Sequence, residues 1–189
     1  MKKFLLHTCC GPCGVHIFEK LSKDFSARGG SASGGEVAAY FYNPNIYPAE
    51  EYGRRLEAVR RGINAVGGIK LIEGRYEPEK WMEACGGLKD EPEGGRRCAI
   101  CFRLRMEEAA RYAKENNFDL WGTTITSGRN KRAEVINIIG RELAEKYGVE
   151  FYPADWKKNG GQERSREICK ENNIYRQNYC GCIYSIRDK

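Results

Sequence analysis

Lys2-Lys3-Phe4-Leu5-Leu6-His7-Thr8-Cys9-Cys10-Gly11-Pro12-Cys13 decides how the rest of the chain is read. Its apolar run, Phe4 to Leu6, is strand-sized and stops at His7 and Thr8. From Cys13 to Phe25, apolar residues recur at Val15, Phe18, Leu21 and Phe25, which is the spacing of one helix face. A buried strand over Lys2–His7 that passes through a cysteine turn into an amphipathic helix is the opening of an α/β unit. Three apolar residues after two lysines begin to imitate a secretory leader. His7, Thr8 and the cysteines interrupt it before an apolar core can form.

The same alternation continues outward from this opening. Residues 28–35, Arg-Gly-Gly-Ser-Ala-Ser-Gly-Gly, read as a turn. Glu36–Tyr42 reads as the second strand and is broken by Asn43-Pro44-Asn45. A helix carrying Tyr52, Leu56, Val59 and Ile63 follows, then a short strand over Ile69–Ile72. Residues 85–97 are rich in Gly and charge and read as a loop. Cys98 to about Asn116 reads as a helix, Leu120–Ile125 as a fourth strand, and Ile136, Ile139, Leu143 and Tyr147 as a helical stripe. Val149–Tyr152 is a fifth strand, and a short helix spans roughly Gln162–Asn172. Alternating strands and helices predict a three-layer α/β fold with a mostly parallel sheet. The expected organisation is a single domain over residues 1–189, with residues 174–189 as a cysteine-containing tail packed near the active face. Ligands of such sheets gather at the carboxyl ends of the strands. The Cys9–Cys13, Thr123–Lys131 and Asp155–Gly161 loops should therefore share one face.

Composition narrows the function classes. The 189 residues are 41% hydrophobic and 31% charged, which is globular, and no apolar stretch approaches a membrane span. The net charge of +6 permits a polyanionic partner without requiring one. Nine cysteines are unusual. A cytoplasmic location is expected, and in that reducing setting closely paired cysteines point to metal or redox chemistry.

Two clusters stand out, Cys9-Cys10-Gly11-Pro12-Cys13 and Cys98-Ala99-Ile100-Cys101. Each contains a C-x-x-C spacing, which lets two sulfurs converge on one centre around a tight turn. Both lie at predicted helix starts, where free amides and the helix dipole favour thiolates and anionic clusters. The spacing alone fits four-cysteine zinc as well as iron–sulfur. A fifth cysteine, and a position at the expected active face, favour iron. Cys180-Gly181-Cys182 is a third feature: a C-x-C pair closes only a strained, easily reduced disulfide, or supplies two further metal ligands. Cys85 and Cys169 are isolated. His7 reads as a packed strand residue, and His16 as one that could approach the site.

Longer strings carry a resemblance. They are Leu5-Leu6-His7-Thr8-Cys9-Cys10-Gly11-Pro12-Cys13; Phe41-Tyr42-Asn43-Pro44-Asn45-Ile46 with Glu51-Tyr52 and Arg55; and Glu91-Pro92-Glu93-Gly94-Gly95 with Arg97-Cys98 and Cys101. Thr123-Thr124, Lys157-Lys158 with Gly160, and Ile174 through Cys182 belong to the same set. Together they resemble the cobalamin-independent epoxyqueuosine reductase family along nearly the whole chain. The resemblance implies reduction of epoxyqueuosine at the wobble position of tRNA to queuosine, on a fold like the adenine-nucleotide α-hydrolases. It implies a [4Fe-4S] cluster on Cys9, Cys10, Cys98 and Cys101 and a redox-active pair at Cys180 and Cys182. Cys13 stands where some members have Asp, so a further iron ion beside the cluster is an expectation too. Ser127-Gly128-Arg129-Asn130-Lys131 departs from the usual Ser-Pro-His/Arg-Lys but keeps two cations.

On this reading Asp155, Lys157, Lys158 or a metal-bound water would protonate the leaving oxygen, and Arg129, Lys131 and Arg132 would meet tRNA phosphates. The electron donor would be external and of low potential, and the chain a monomer with no membrane contact. Two rivals share parts of the pattern. A tRNA sulfurtransferase on the same fold would need a phosphate-binding Ser-Gly-Gly-x-Asp-Ser loop where the cysteines stand. A zinc-stabilised RNA-binding module would need no redox chemistry at all.

Overall fold

The computed structural model describes residues 2–26 and 35–186. The turn expected over residues 28–35 falls almost entirely outside them, as do residues 187–189 of the tail.

Five strands form one sheet: β1 (Lys3–His7), β2 (Glu36–Phe41), β3 (Lys70–Glu73), β4 (Leu120–Thr123) and β5 (Glu150–Phe151). Their order is β3-β2-β1-β4-β5 and every pairing is parallel, so the mostly parallel expectation becomes an all-parallel sheet. Leu6 pairs with Ala39 on one side and with Gly122 on the other, which puts β1 at the centre. The helices are α1 (Gly11–Ser26), α2 (Ala49–Val66), α3 (Pro78–Cys85), α4 (Arg96–Glu115), α5 (Ala133–Tyr147) and α6 (Gly161–Glu171).

The period-two alternation of the strands makes the three layers. Phe4, Leu6, Val37, Ala39 and Phe41 pack on one face with Ile17, Phe18 and Leu21 of α1 and Val59 and Ile63 of α2. Leu5, Ala38 and Tyr40 pack on the other with Phe102, Met106 and Ala109 of α4 and Ile136 and Leu143 of α5. Each large apolar side chain fully buried here is worth about 1.5–3 kcal/mol.

After β3 the chain crosses to the opposite edge of β1, so the winding direction reverses between β1 and β4. That reversal opens a crevice above the carboxyl ends of these two strands. The turn after β1 and the turn after β4 form its walls, joined by the Thr124 amide donating to the His7 carbonyl at 2.9 Å. Three local readings need correction. Helix α3 occupies residues for which no element is expected from the sequence, and α4 starts two residues ahead of Cys98. The fourth strand ends at Thr123 because Ile125–Ser127 turns into a single 3-10 turn.

Candidate metal centre and substrate cavity

His7 explains why the site has a rigid floor. It is fully buried, with Nδ1 2.9 Å from Thr123 Oγ1 and Nε2 3.1 Å from the Tyr42 carbonyl. The carbonyl can only accept, so Nε2 carries the proton and Nδ1 accepts from the Thr123 hydroxyl. Thr123 Oγ1 in turn accepts from the Ile125 amide at 3.2 Å. Burial, then the charge of Arg105, pushes the His7 pKa down to about 3, so the ring is neutral. His7 therefore ties the ends of β1, β2 and β4 together and is a packed residue, as its place in a strand suggests.

The sulfurs of Cys9, Cys10 and Cys13 stand on this floor, all within 4.8 Å of one another, with Cys9 and Cys10 3.8 Å apart. Helix α1 begins between them, so its free amides face the group. Gly11 is needed there because a Cβ would lie 2.5 Å from the Ala58 carbonyl oxygen of α2. Donors are aimed at the sulfurs: the Thr124 hydroxyl at Cys9 from 3.4 Å and the Gln177 amide at Cys10 from 2.9 Å. Hydrogen bonds from Cys10 and Cys13 hold the Cys9 thiol well below its ordinary value, while burial drives Cys10 well above. One thiolate at Cys9, shared with two thiol neighbours, is the natural charge state.

Cys98 and Cys101 occupy the first turns of α4 and stand outside that group of three. The Gly94 amide donates to Cys98 Sγ at 3.2 Å. Arg105, one turn on from Cys101, is 4% exposed and points Nη1 at Cys101 Sγ from 3.9 Å. Its charge also acts on Cys9 and Cys180; burial opposes that charge, but the three cysteines outweigh it and raise the Arg105 pKa. Arg105 is thus the electrostatic link between the two cysteine pairs. It is a candidate site residue that the sequence reading misses. The signal was available: residues 98, 101 and 105 recur at helical spacing and share one face.

Cys180 and Cys182 part company. Arg55 holds this stretch of chain, donating to the Cys180 and Tyr179 carbonyls at 3.0 and 3.1 Å and to Glu51 at 2.7 Å. Cys180 faces the crevice, 3.3 Å from Lys131 Nζ. Cys182 turns into an apolar nest with Trp81, Cys85 and Cys101. All nine cysteines are free thiols, so the disulfide expected in the tail is not formed here. Gly181 between them has a φ of +123°, which only glycine adopts readily.

The crevice is a cavity of about 420 Å³, lined by Cys9, Cys10, Cys13 and Cys180 and by His16, Asn45, Arg129, Lys131 and Gln177, among others. Buried polar atoms on its lining lack any protein partner among the described residues: His16 Nδ1, Asn43 Oδ1, Asn45 Oδ1 and Gln177 Oε1. Each unmet group costs about 1–3 kcal/mol, so the cavity is built for a polar occupant. A sulfur-rich floor with amide and hydroxyl donors, next to a buried cation, also suits thiolate-bound metal.

The cations expected on the surface are redistributed. Lys131 is turned inward, its side chain only 12% exposed, and it contacts Glu93 at 3.1 Å. Burial disfavours its charge, but Cys180 and Glu93 outweigh that and raise its pKa, so it stays an ammonium. Arg129 lines the cavity, whereas Arg132 caps α5 and does not. Asp155 is not on the lining either; it pairs with Lys157 at 3.6 Å and Lys158 at 4.0 Å.

Comparison with known proteins agrees with this geometry. A family model described as "Epoxyqueuosine reductase QueH" matches residues 4–188. The chain is 40% identical over 190 residues to the epoxyqueuosine reductase QueH of Staphylococcus epidermidis, covering 97% of this chain and 76% of that protein. It is 41% identical over 187 residues to that of Histophilus somni, covering 98% and 73%. For Thermotoga maritima the identity is 34% over 192 residues, covering 100% and 93%.

Proposed function

The chain belongs to the epoxyqueuosine reductase QueH family and is an oxidoreductase, and on that premise we propose that it reduces epoxyqueuosine in the wobble position of tRNA to queuosine. The observation that carries the reading is the convergence of Cys9, Cys10, Cys13 and Cys180 on one polar cavity at the sheet's reversal point. Opening the epoxide to an alkene breaks two C–O bonds. It takes in two electrons and two protons, and the oxygen departs as water.

Cys9, Cys10, Cys98 and Cys101 would hold a [4Fe-4S] cluster, which supplies single electrons at low potential when bound. A cluster is wider than one ion, whose cysteine ligands lie about 2.3 Å from the metal. Cys98 and Cys101 stand outside the tight group and off the cavity lining, and what speaks for their sharing a centre with Cys9 is Arg105, whose charge acts on Cys9 and Cys101 together. Cys13 would hold a further iron ion, and Cys180 with Cys182 would cycle between dithiol and disulfide as electrons arrive from an external low-potential donor, which requires Cys182 to turn out of its apolar nest toward Cys180.

The chain's own groups do the rest. Gln177, Asn45 and Asn43 offer their unmet acceptors to the hydroxyls and base edges of the substrate. The Lys131 ammonium, fixed by Glu93, places positive charge where the epoxide oxygen gains negative charge. Asp155 is replaced in this role because it lies off the cavity lining. The enzyme acts as a cytoplasmic monomer on this reading, and no described helix is long and apolar enough to cross a membrane. The relatives' shared reductase name tells against both the sulfurtransferase and the zinc-module rivals.

The test is anaerobic reconstitution with iron and sulfide, then incubation with epoxyqueuosine-bearing tRNA and a chemical reductant. Nucleoside mass spectrometry should show queuosine replacing epoxyqueuosine. A fully loaded protein that leaves the epoxide intact, with the reductant shown to be active, would overturn the assignment.

A further inference from the structure

Helix α6 carries its charges on two sides. Arg164 faces α1 and is held by Glu19 at 2.8 Å and Glu167 at 3.0 Å. Arg166 and Lys170, four residues apart and therefore on one face, point the other way. They look across a groove of about 940 Å³ at Arg54 and Arg61, which lie two turns apart on α2. Arg176, just beyond α6, completes a set of five cations.

This set is short of counter-charge. Among the described residues, Glu57 is the only carboxylate on the groove's lining, 3.3 Å from Arg61. Arg54 reaches Glu51 only at 3.9 Å, and that carboxylate already serves Arg55 at 2.7 Å. Among the described residues, no ion pair involves Arg166, Lys170 or Arg176. Elsewhere on the surface Arg60, Arg103 and Arg111 each sit against a glutamate; Arg75, Arg96 and Arg141 join no ion pair among the described residues either, but they lie off the cavity lining.

The groove also has a direction. Arg166 and Arg176 line both it and the cysteine-floored cavity, so the two run into each other. We propose that this α2/α6 groove, more than the loop after β4, carries the phosphate backbone of the RNA whose modified base enters the cavity. The inference rests on the substrate being RNA-borne, as proposed above. A polyanion whose one nucleotide must reach the cavity has its neighbouring phosphates at the cavity rim, and that is where the unneutralised cations lie. Of the β4 loop's cations, Lys131 is committed to Glu93 and Cys180, which leaves Arg129 on the cavity and Arg132 at the start of α5 as two charges against the groove's five.

The test uses Arg54→Gln, Arg61→Gln and Lys170→Gln together, none of which lines the cavity, with Lys170→Glu as a second, single-site variant. Binding is measured with unmodified tRNA across a salt series, so the groove is judged whether or not reduction is observed. The triple variant should bind about tenfold or more weakly near 0.1 M salt. Its plot of log affinity against log salt should flatten by about two to three units, as lost phosphate contacts release fewer counterions. Lys170→Glu should weaken binding in the same direction. With epoxyqueuosine-bearing tRNA, KM should rise while kcat at saturation holds. Wild-type affinity and slope in both variants would overturn the proposal. So would unchanged tRNA binding with a rate that falls only when an acidic protein replaces the chemical reductant, which would assign the groove to an electron donor.

Discussion

Arg105 shows what one residue does for the site. A buried guanidinium facing Cys101 and acting on Cys9 and Cys180 offsets the negative charge that thiolates and any bound cluster bring into a low-dielectric interior. A nearby cation favours the more negative, reduced state of such a centre. Arg105→Gln should therefore retain less iron and sulfide on anaerobic reconstitution, and what it retains should show a more negative midpoint potential by redox titration. An unchanged potential would reduce Arg105 to a packing residue. The two tail cysteines differ just as clearly. Cys180 borders the cavity while Cys182 is 7% exposed in an apolar nest. Brief native alkylation of the metal-free protein, mapped by mass spectrometry, should label Cys180 well before Cys182. The reverse order would contradict this placement. The nine cysteines stand out in the sequence because the residue type is rare and reactive. Arg105 does not, because an arginine in a charged helix is indistinguishable from a solvated one until its burial is known.

Two glycines show how closely the elements beneath the site are fitted. The start of α1 presses on α2 so tightly that a Cβ on Gly11 would meet the Ala58 carbonyl and carbonyl carbon at 2.5 and 2.7 Å, and backbone cannot yield as a side chain can. Gly11→Ala should lose about 1–3 kcal/mol of stability by urea unfolding, through overpacking. Gly53, also in α2, has open space around its Cβ position. Gly53→Ala should gain about 0.5–1 kcal/mol by removing a flexible residue from a helix interior. Equal effects at the two positions would show that helix propensity, and not the α1–α2 approach, governs both. Most elements are legible from periodicity, because strands and helices here bury continuous faces. Helix α3 escapes it: eight residues bury only Trp81 and Cys85, too few for a period to emerge, although Pro78 in its first turn is a fitting start signal.

Across the whole molecule, the α1–α6 contact holds in place α6, whose Gln162, Ser165 and Arg166 line the cavity. Arg164 forks onto Glu19 with bonds of 3.0 and 2.8 Å, and this bond, ahead of lesser contributions from Lys23, pulls the Glu19 pKa down to about 2. A carboxyl depressed in the folded state adds stability above its ordinary pKa, and that stability is lost as pH falls toward the folded value. Arg164 is open to solvent, so screening keeps the contribution small. Glu19→Gln should be slightly less stable than the wild type at pH 7. The gap should close between about pH 4.5 and 2 in urea titrations. A gap that persists below pH 2 would mean the loss arises from packing, not from the ion pair.

Local pattern alone determined the α/β class, the order of the five strands along the chain, and the cysteine clusters at helix starts. Each of these depends on near neighbours in sequence: the alternation of Phe4, Leu5 and Leu6, the stripe of Val15, Phe18 and Leu21, the C-x-x-C spacing. Parallel strands with helical crossovers then place Cys9–Cys13 and the loop after β4 on one edge by connectivity. Only the tertiary structure decided which cations and thiols face inward. Lys131 and Arg129 are two residues apart in one loop, yet the first is locked against Glu93 and Cys180 while Arg132, one further on, caps a helix. Cys180 and Cys182 are separated by one glycine and enter different environments. Asp155 lies on the expected face and still misses the cavity. The physical reason is common to all of these. A charged or thiol side chain takes its direction from partners that lie tens of residues away in sequence, such as Glu93, Arg55 and Arg105. Those partners are brought together only when the sheet has closed.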